Sequence, residues 1–142
     1  MLSIDEIRNT IIEVCENEDC VYALLFGSLA HGTFKEYSDI DIAIKFKKSD
    51  NYLNKTLRIM SKLSIKLNID VDVIPLNISD TIIKYEIYSN GILLFCKDYD
   101  EYMDDHINAI DEYLDFEHVF NKFYEKTVKE IKDAVSRSQS QN

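Results

Sequence analysis

Three aspartates and a Gly-Ser pair carry the chemistry that this sequence can do. Asp39 and Asp41 stand two apart in Ser38-Asp39-Ile40-Asp41-Ile42-Ala43-Ile44-Lys45-Phe46, a stretch that alternates with period two. In a strand, that spacing puts both carboxylates and Lys45 on one face, with Ile40, Ile42, Ile44 and Phe46 on the other. Asp72 stands in a second alternating stretch, residues 69–76, with Asp70 on its own face and Val71 and Val73 opposite. If the two strands are neighbours, three carboxylates converge and push one another to take up protons. Hard divalent cations relieve that conflict, since Mg²⁺ takes carboxylate oxygens as ligands and commonly binds nucleotide phosphates at the same time. Two ions held close together stabilise both the attacking and the leaving oxygen of an in-line displacement at phosphorus. Gly27-Ser28 is the complementary part: Gly lets the backbone approach a phosphate, and Ser28 offers a hydroxyl and an N–H. The GxxxxGK[ST] spacing of a Walker loop is absent.

Singly, these features are weak, because two alternating Asp more often mark a solvated strand face. Together they make a pattern: apolar strand, Gly-Ser, ten residues, Asp-x-Asp on a strand, then a third Asp on a later strand. Asp70 is an open candidate for a fourth acid. His31 and His118 read as surface or satisfied histidines.

Capping and periodicity outline the elements that hold these residues. Ser3 and Glu6 form a capping box, followed by Ile4, Ile7, Ile11, Val14 and Cys15 at helical spacing. Val21-Tyr22-Ala23-Leu24-Leu25-Phe26 is an apolar run of strand length, predicted to be buried on both faces. Residues 29–37 are a connection with Gly32 as its flexible point. Residues 50–67 return to helical period, with a stripe of Leu53, Leu57, Met60, Leu63 and Leu67. Pro75 ends the following strand. Ser79 or Asp80 caps a short helix that stops at the C-cap pair Asn90-Gly91, and residues 91–96 form an edge strand. Residues 99–135 lack Gly and Pro and carry apolar positions every three or four residues. That predicts one long helix, or two with a bend near Asp115-Phe116. The basic run Lys47, Lys48, Lys55, Arg58, Lys62 and Lys66 reads as a solvated helix face, with triphosphate attraction as a second reading.

The 142 residues fit one α+β domain, a mixed sheet flanked by helices. Its core is expected at about residues 3–97, a C-terminal helix or helix pair at about 99–135, and a frayed polar tail at 136–142. The formal net charge of −10 excludes a broad basic face for a nucleic-acid backbone, so no direct nucleic-acid binding is expected. No apolar run approaches the roughly 20 residues of a membrane helix, and the first residues lack a secretory pattern. Cys15, Cys20 and Cys96 are scattered without a CxxC pair, which fits a reducing cytosol better than a disulfide framework or zinc site.

Leu25-Phe26-Gly27-Ser28-Leu29-Ala30-His31-Gly32, continued by Ser38-Asp39-Ile40-Asp41-Ile42-Ala43-Ile44, resembles the GSx10DxD signature of the DNA polymerase β-type nucleotidyltransferases. The minimal single-domain branch, MNT, is the most similar. Val71-Asp72-Val73-Ile74-Pro75 resembles the strand that carries the third carboxylate of that family. The likeness covers about residues 20–97, and Tyr113-Leu114-Asp115-Phe116-Glu117 looks like the C-terminal helix of the antitoxin subgroup.

This resemblance implies that Gly27 and Ser28 hold the β- and γ-phosphates and that Asp39 and Asp41 ligate two Mg²⁺ ions. It implies that Asp72 completes the metal on the nucleophile side and helps deprotonate the acceptor hydroxyl. The reaction implied is attack on the α-phosphorus of ATP, leaving AMP on the acceptor and releasing pyrophosphate. Two positions depart from the pattern, Leu29 where many relatives carry Arg and His31 where Arg or Lys is common. Missing cations there imply slow turnover or pairing with an outside cation.

The branch implies an antitoxin whose partner is a HEPN ribonuclease toxin, adenylylated on a tyrosine. The residues add that nine Asp or Glu and no Lys or Arg lie between Asp98 and Asn121, beside Tyr99, Tyr102, Tyr113 and Phe116. Such a helix suits docking on a basic protein, or its apolar stripe packs on its own sheet. Two other functions stay open: a small-molecule, aminoglycoside-type nucleotidyltransferase, disfavoured by only about 40 residues after the core, and a non-catalytic antitoxin that acts by binding.

Overall fold

The computed structural model describes residues 2–27, 30 and 39–140. Helix α1 (Ile4–Cys15) starts as its capping box dictates, with the Ser3 hydroxyl accepting from Glu6 N–H at 3.1 Å. Strand β1 (Cys20–Phe26) follows, then β2 (Ile40–Phe46), α2 (Tyr52–Leu67) and β3 (Val71–Pro75). A 3₁₀ turn (Leu76–Ile78), α3 (Thr81–Asn90), β4 (Ile92–Cys96) and α4 (Tyr99–Ser140) complete the order.

The four strands lie in the order β3-β2-β1-β4. β1 is antiparallel to both β2 and β4, while β2 and β3 are parallel and joined across α2, as parallel neighbours require. The mixed α+β fold expected from the sequence is therefore present. Ile40, Ile42, Ile44 and Phe46 face Ile7 and Ile11 of α1 and Ile59 and Leu63 of α2. The other face of the sheet carries Tyr22, Leu24 and Ala43, covered by Ile87 and Tyr88 of α3 and Tyr102 and Ala109 of α4. Central β1 is thus buried on both faces, which is why it reads as an unbroken apolar run. The edges of the sheet are β4 and β3, the strand that ends in Pro75. Among the described residues no helix is long and apolar enough to cross a membrane.

Several local expectations are corrected. On α2 the buried positions are Thr56, Ile59 and Leu63, while Leu53 and Leu57 are 64% and 51% exposed. Leu63 of the expected stripe is buried, and Met60 and Leu67 pack against the core. Thr56 and Ile59, however, take the places expected of Leu53 and Leu57, and polar Thr56 fits there because its hydroxyl donates to the Tyr52 carbonyl at 2.8 Å. Asp80, not Ser79, caps α3, accepting from Ile83 N–H at 2.8 Å. Gly91 ends that helix with φ −75°, so left-handed backbone is not the reason for glycine there. A Cβ at Gly91 would instead stand 2.5 Å from the Ile87 carbonyl and 3.2 Å from that of Leu25. α4 is one helix of 42 residues with no break at Asp115-Phe116, about 63 Å long. It continues through residues 136–140, where polar composition predicts fraying.

Candidate active site

Strand register brings the acids together. Asp41 and Asp72 are directly paired across the parallel β2–β3 ladder, and Phe26 is paired with Asp41 across β1–β2. Asp41 is two residues from Ala43, so alternation puts it on the α3/α4 face of the sheet. Asp39 stands one residue before β2 and is exposed, as is Asp72, while Asp41 is half-buried. Burial pushes the Asp41 carboxyl above the ordinary carboxylate range, and the charges of Asp72 and Asp39 push it further. The three acids therefore share one electrostatic neighbourhood. Asp70 starts the same segment, and its carbonyl accepts from Ile40 N–H at 3.2 Å, a ladder role.

Gly27 ends β1 in left-handed backbone with φ +76°. A Cβ there would collide with Asp41 Oδ2 and stand 3.1 Å from Asp41 Cγ. Glycine at this position thus serves two needs, a turn that L side chains resist and room for the carboxylate. Ser28, Leu29, His31 and Gly32 lie outside the described residues.

Among the described residues no three groups already form a metal-holding cluster. The donor chemistry nevertheless fits a divalent cation: hard oxygen ligands, and a carboxyl whose protonation is favoured by two neighbouring negative charges that a cation would offset.

The basic run is used elsewhere. Arg58 and Lys62 both bind Glu18, Lys66 binds Glu13 and Lys55 binds Asp19. Desolvation would raise the Glu18 carboxyl, but Lys62 and Arg58 outweigh it and hold it below the usual range. These cations fasten α2 to the α1–β1 junction, on the sheet side opposite the acids, which leaves the solvated-face reading standing.

The same face as Asp41 holds a polar network that the sequence does not announce. Buried Tyr22 hydrogen-bonds the Tyr88 hydroxyl and donates to Asp105 Oδ2 at 2.7 Å; Lys45 Nζ reaches that oxygen at 2.7 Å. Alternation does place Lys45 on this face, but nothing local marks Tyr22, in a run of apolar residues, or Asp105, one acid among many. Lys45, Asn77, Lys84, Tyr88 and Asp105 line a hollow of about 230 Å³ beside this network.

The family described as polymerase beta nucleotidyltransferase matches residues 9–100. A Methanocaldococcus jannaschii protein provisionally named a protein adenylyltransferase is 31% identical over 91 residues, 64% of this chain and 97% of that protein. A second protein of that organism with the same provisional name is 42% identical over 65 residues, 46% of this chain and 74% of that one. Among solved structures, a toxin–antitoxin with AMP-PNP has a TM-score of 0.72 at 24% identity, covering 85% of this chain and 98% of that chain. A tri-AMPylated Shewanella oneidensis HEPN toxin in complex with MNT antitoxin gives a TM-score of 0.68 at 21% identity, over 89% of this chain and 99% of that chain. The structural likenesses carry the fold; the family match over residues 9–100 carries the identity, and this chain belongs to the polymerase β-type nucleotidyltransferases as a nucleotidyltransferase.

Proposed function

We propose that this nucleotidyltransferase is a Mg²⁺-dependent protein adenylyltransferase, residues 1–142 acting as one domain. It moves AMP from ATP to a tyrosine hydroxyl of a HEPN ribonuclease toxin and so acts as the antitoxin. The observation that carries this reading is the pairing of Asp41 with Asp72 beside Gly27. Support for the acceptor class comes from the provisional names of the two relatives, both protein adenylyltransferases. Support for the partner comes from the neighbouring structures, which are toxin–antitoxin complexes, one with an AMPylated HEPN toxin. The acidic first half of α4 supplies a surface complementary to a basic RNA-binding partner.

In this mechanism Asp39 and Asp41 would hold the cations, Gly27 and Ser28 would receive the terminal phosphates, and Asp72 would complete the metal site on the acceptor side. Magnesium, when bound, supplies positive charge to the triphosphate and lowers the barrier to displacement. The tyrosine oxygen forms a bond to the α-phosphorus as the bond to the bridging β-phosphate oxygen breaks. Pyrophosphate leaves, and the hydroxyl proton passes towards Asp72. The Asp41 carboxylate lies directly against Gly27, so the acid and the residue proposed to receive phosphate adjoin.

The test is intact-mass spectrometry of the HEPN partner chain after incubation with this protein, Mg²⁺ and ATP. A gain of one or more AMP units, absent with Asp39→Ala or Asp41→Ala, is the expected result. A stable complex with no mass gain would overturn the catalytic reading in favour of inhibition by contact.

A further inference from the structure

The apolar stripe of α4 does not stop where the sheet stops. Tyr102, Ala109 and Tyr113 share a helix face with Phe116, Phe120, Tyr124 and Ile131, spaced three or four residues or a multiple of a turn apart. Tyr102 and Ala109 are buried against the sheet and α3, but Phe116, Phe120, Tyr124 and Ile131 are 44%, 52%, 59% and 58% exposed. Phe116, Phe120 and Tyr124 stack along the helix, with centroids 6.0 and 6.4 Å apart. Helices in proteins owe most of their stability to packing of such a face, and a contiguous exposed apolar ridge marks an interaction surface.

Charge selects the occupant. Residues 98–121 carry nine acids and no Lys or Arg, whereas residues 122–140 carry five Lys or Arg against three acids. Parallel pairing of two α4 helices would lay acidic half on acidic half. Antiparallel pairing over residues 112–137 lays Glu112, Asp115 and Glu117 of each copy along the segment of the other that holds Lys126, Lys129, Lys132 and Arg137. With the two-fold axis between Tyr124 and Glu125, Glu117 of one copy stands opposite Lys132 of the second. Helical spacing puts Glu117 and Lys132 on the same edge of the stripe, and like edges meet in an antiparallel pair. That register also brings Ile131 and Val135 of the second copy to a hollow of about 490 Å³ lined by Ile82, Tyr113, Phe116 and Phe120. The paired length, residues 112–137, is about 38 Å.

We propose that α4 is a homodimerisation helix, pairing antiparallel with α4 of a second copy through the Phe116–Phe120–Tyr124–Ile131 ridge. The dimer sets two active sites at opposite ends of the helix pair. This inference stands independently of the acceptor and of adenylylation.

Sedimentation equilibrium of the full chain tests it, with far-ultraviolet circular dichroism and thermal melting to confirm that each variant folds. The wild type sediments as a dimer at micromolar concentration. Phe120→Glu weakens the dimer roughly 30-fold or more, as expected of a central interface aromatic. Glu117→Lys and Lys132→Glu each weaken it, and the double variant E117K/K132E restores it, which a contact that does not pair Glu117 with Lys132 would not do. A monomeric wild type at about 100 µM, a concentration far above ordinary specific affinities, overturns the proposal. So does a dimer indifferent to Phe120→Glu, or a charge swap that fails to restore association. A chain monomeric by itself whose Phe120 is needed only to bind a basic partner protein overturns it in favour of that partner.

Discussion

Gly27 and Asp41 pack so closely that a single methyl group cannot be placed between them: a Cβ at Gly27 falls on the Asp41 carboxylate. Two costs therefore combine in Gly27→Ala, positive φ for an L residue and displacement of the acid, together about 1–2 kcal/mol. A loss of that size lowers Tm by roughly 3–8 °C. Adenylyl transfer falls further than the stability loss explains, because the carboxylate that moves is the one proposed to hold the cations. Assays at a temperature where both proteins are folded separate the two effects. Full activity in Gly27→Ala would show that the Asp41 position tolerates the shift.

Asp41 is held above the ordinary carboxylate range, first by burial and then by Asp72 and Asp39. The sign of the linkage follows. A group whose folded pKa exceeds its unfolded value binds protons more readily in the native state, so its contribution to stability is present at low pH and is lost as pH rises through the folded value. At neutral pH, ionised Asp41 therefore opposes folding of the metal-free chain. Asp41→Asn is expected to raise Tm of the metal-free protein while lowering transfer at least about 100-fold, the stability–activity trade of a charged site. Melting curves at neutral and acidic pH check this; the gain shrinks on acidification, where wild-type Asp41 takes up its proton.

Divalent cation is expected to reverse that balance. If the proposed site holds Mg²⁺, the ion favours the ionised acids and stabilises the native state by mass action, more in the wild type than in Asp41→Asn. Titrating MgCl₂ into both proteins while following Tm is expected to close or invert the gap between them. Chelation with EDTA abolishes transfer, and the acid limb of the pH–activity profile moves down as Mg²⁺ rises, because the cation competes with protons for Asp41. An acid limb that ignores Mg²⁺ would remove Asp41 from the cation site.

Much of this site is legible in the sequence because its geometry is local. A period of two fixes which face Asp39, Asp41 and Asp72 occupy. Their alternation with Ile40, Ile42, Val71 and Val73, all buried, leaves one register in which apolar residues face α1 and α2. The failures have a different cause. Leu53 and Leu57 look like core, but the choice between adjacent helix stripes is made by the sheet they meet, which spacing within α2 does not encode. Gly91 reads as a C-cap and is one, but what requires glycine there is not local, since carbonyls of Ile87 and Leu25 exclude its Cβ. The Tyr22–Asp105 contact joins residues 83 positions apart, and no local pattern reports it. The length of α4 is legible; that its outer half finds no cover among the described residues is not, since an apolar stripe looks the same whichever surface meets it.

That long-range contact carries the last prediction. Tyr22 is fully buried, and burial, together with its bonds to Tyr88 and Asp105, pushes its ionisation far up, so it stays a hydroxyl donor. Asp105 accepts from Tyr22 and from Lys45, which ties α4 to both β1 and β2. Asp105→Ala leaves a buried hydroxyl and a largely buried ammonium without their acceptor, at a cost of about 2–4 kcal/mol. Tyr22→Phe removes one donor to Asp105 and the partner of the Tyr88 hydroxyl, while Lys45 keeps its acid, so about 1–3 kcal/mol is lost. Lys45 stands four residues along β2 from Asp41, about 13 Å away. The stability loss should therefore appear as faster amide exchange over the first turns of α4, with transfer at a permissive temperature reduced only a few-fold. A collapse of transfer as deep as that of Asp41→Asn would mean that this network positions the acids as well as the helix.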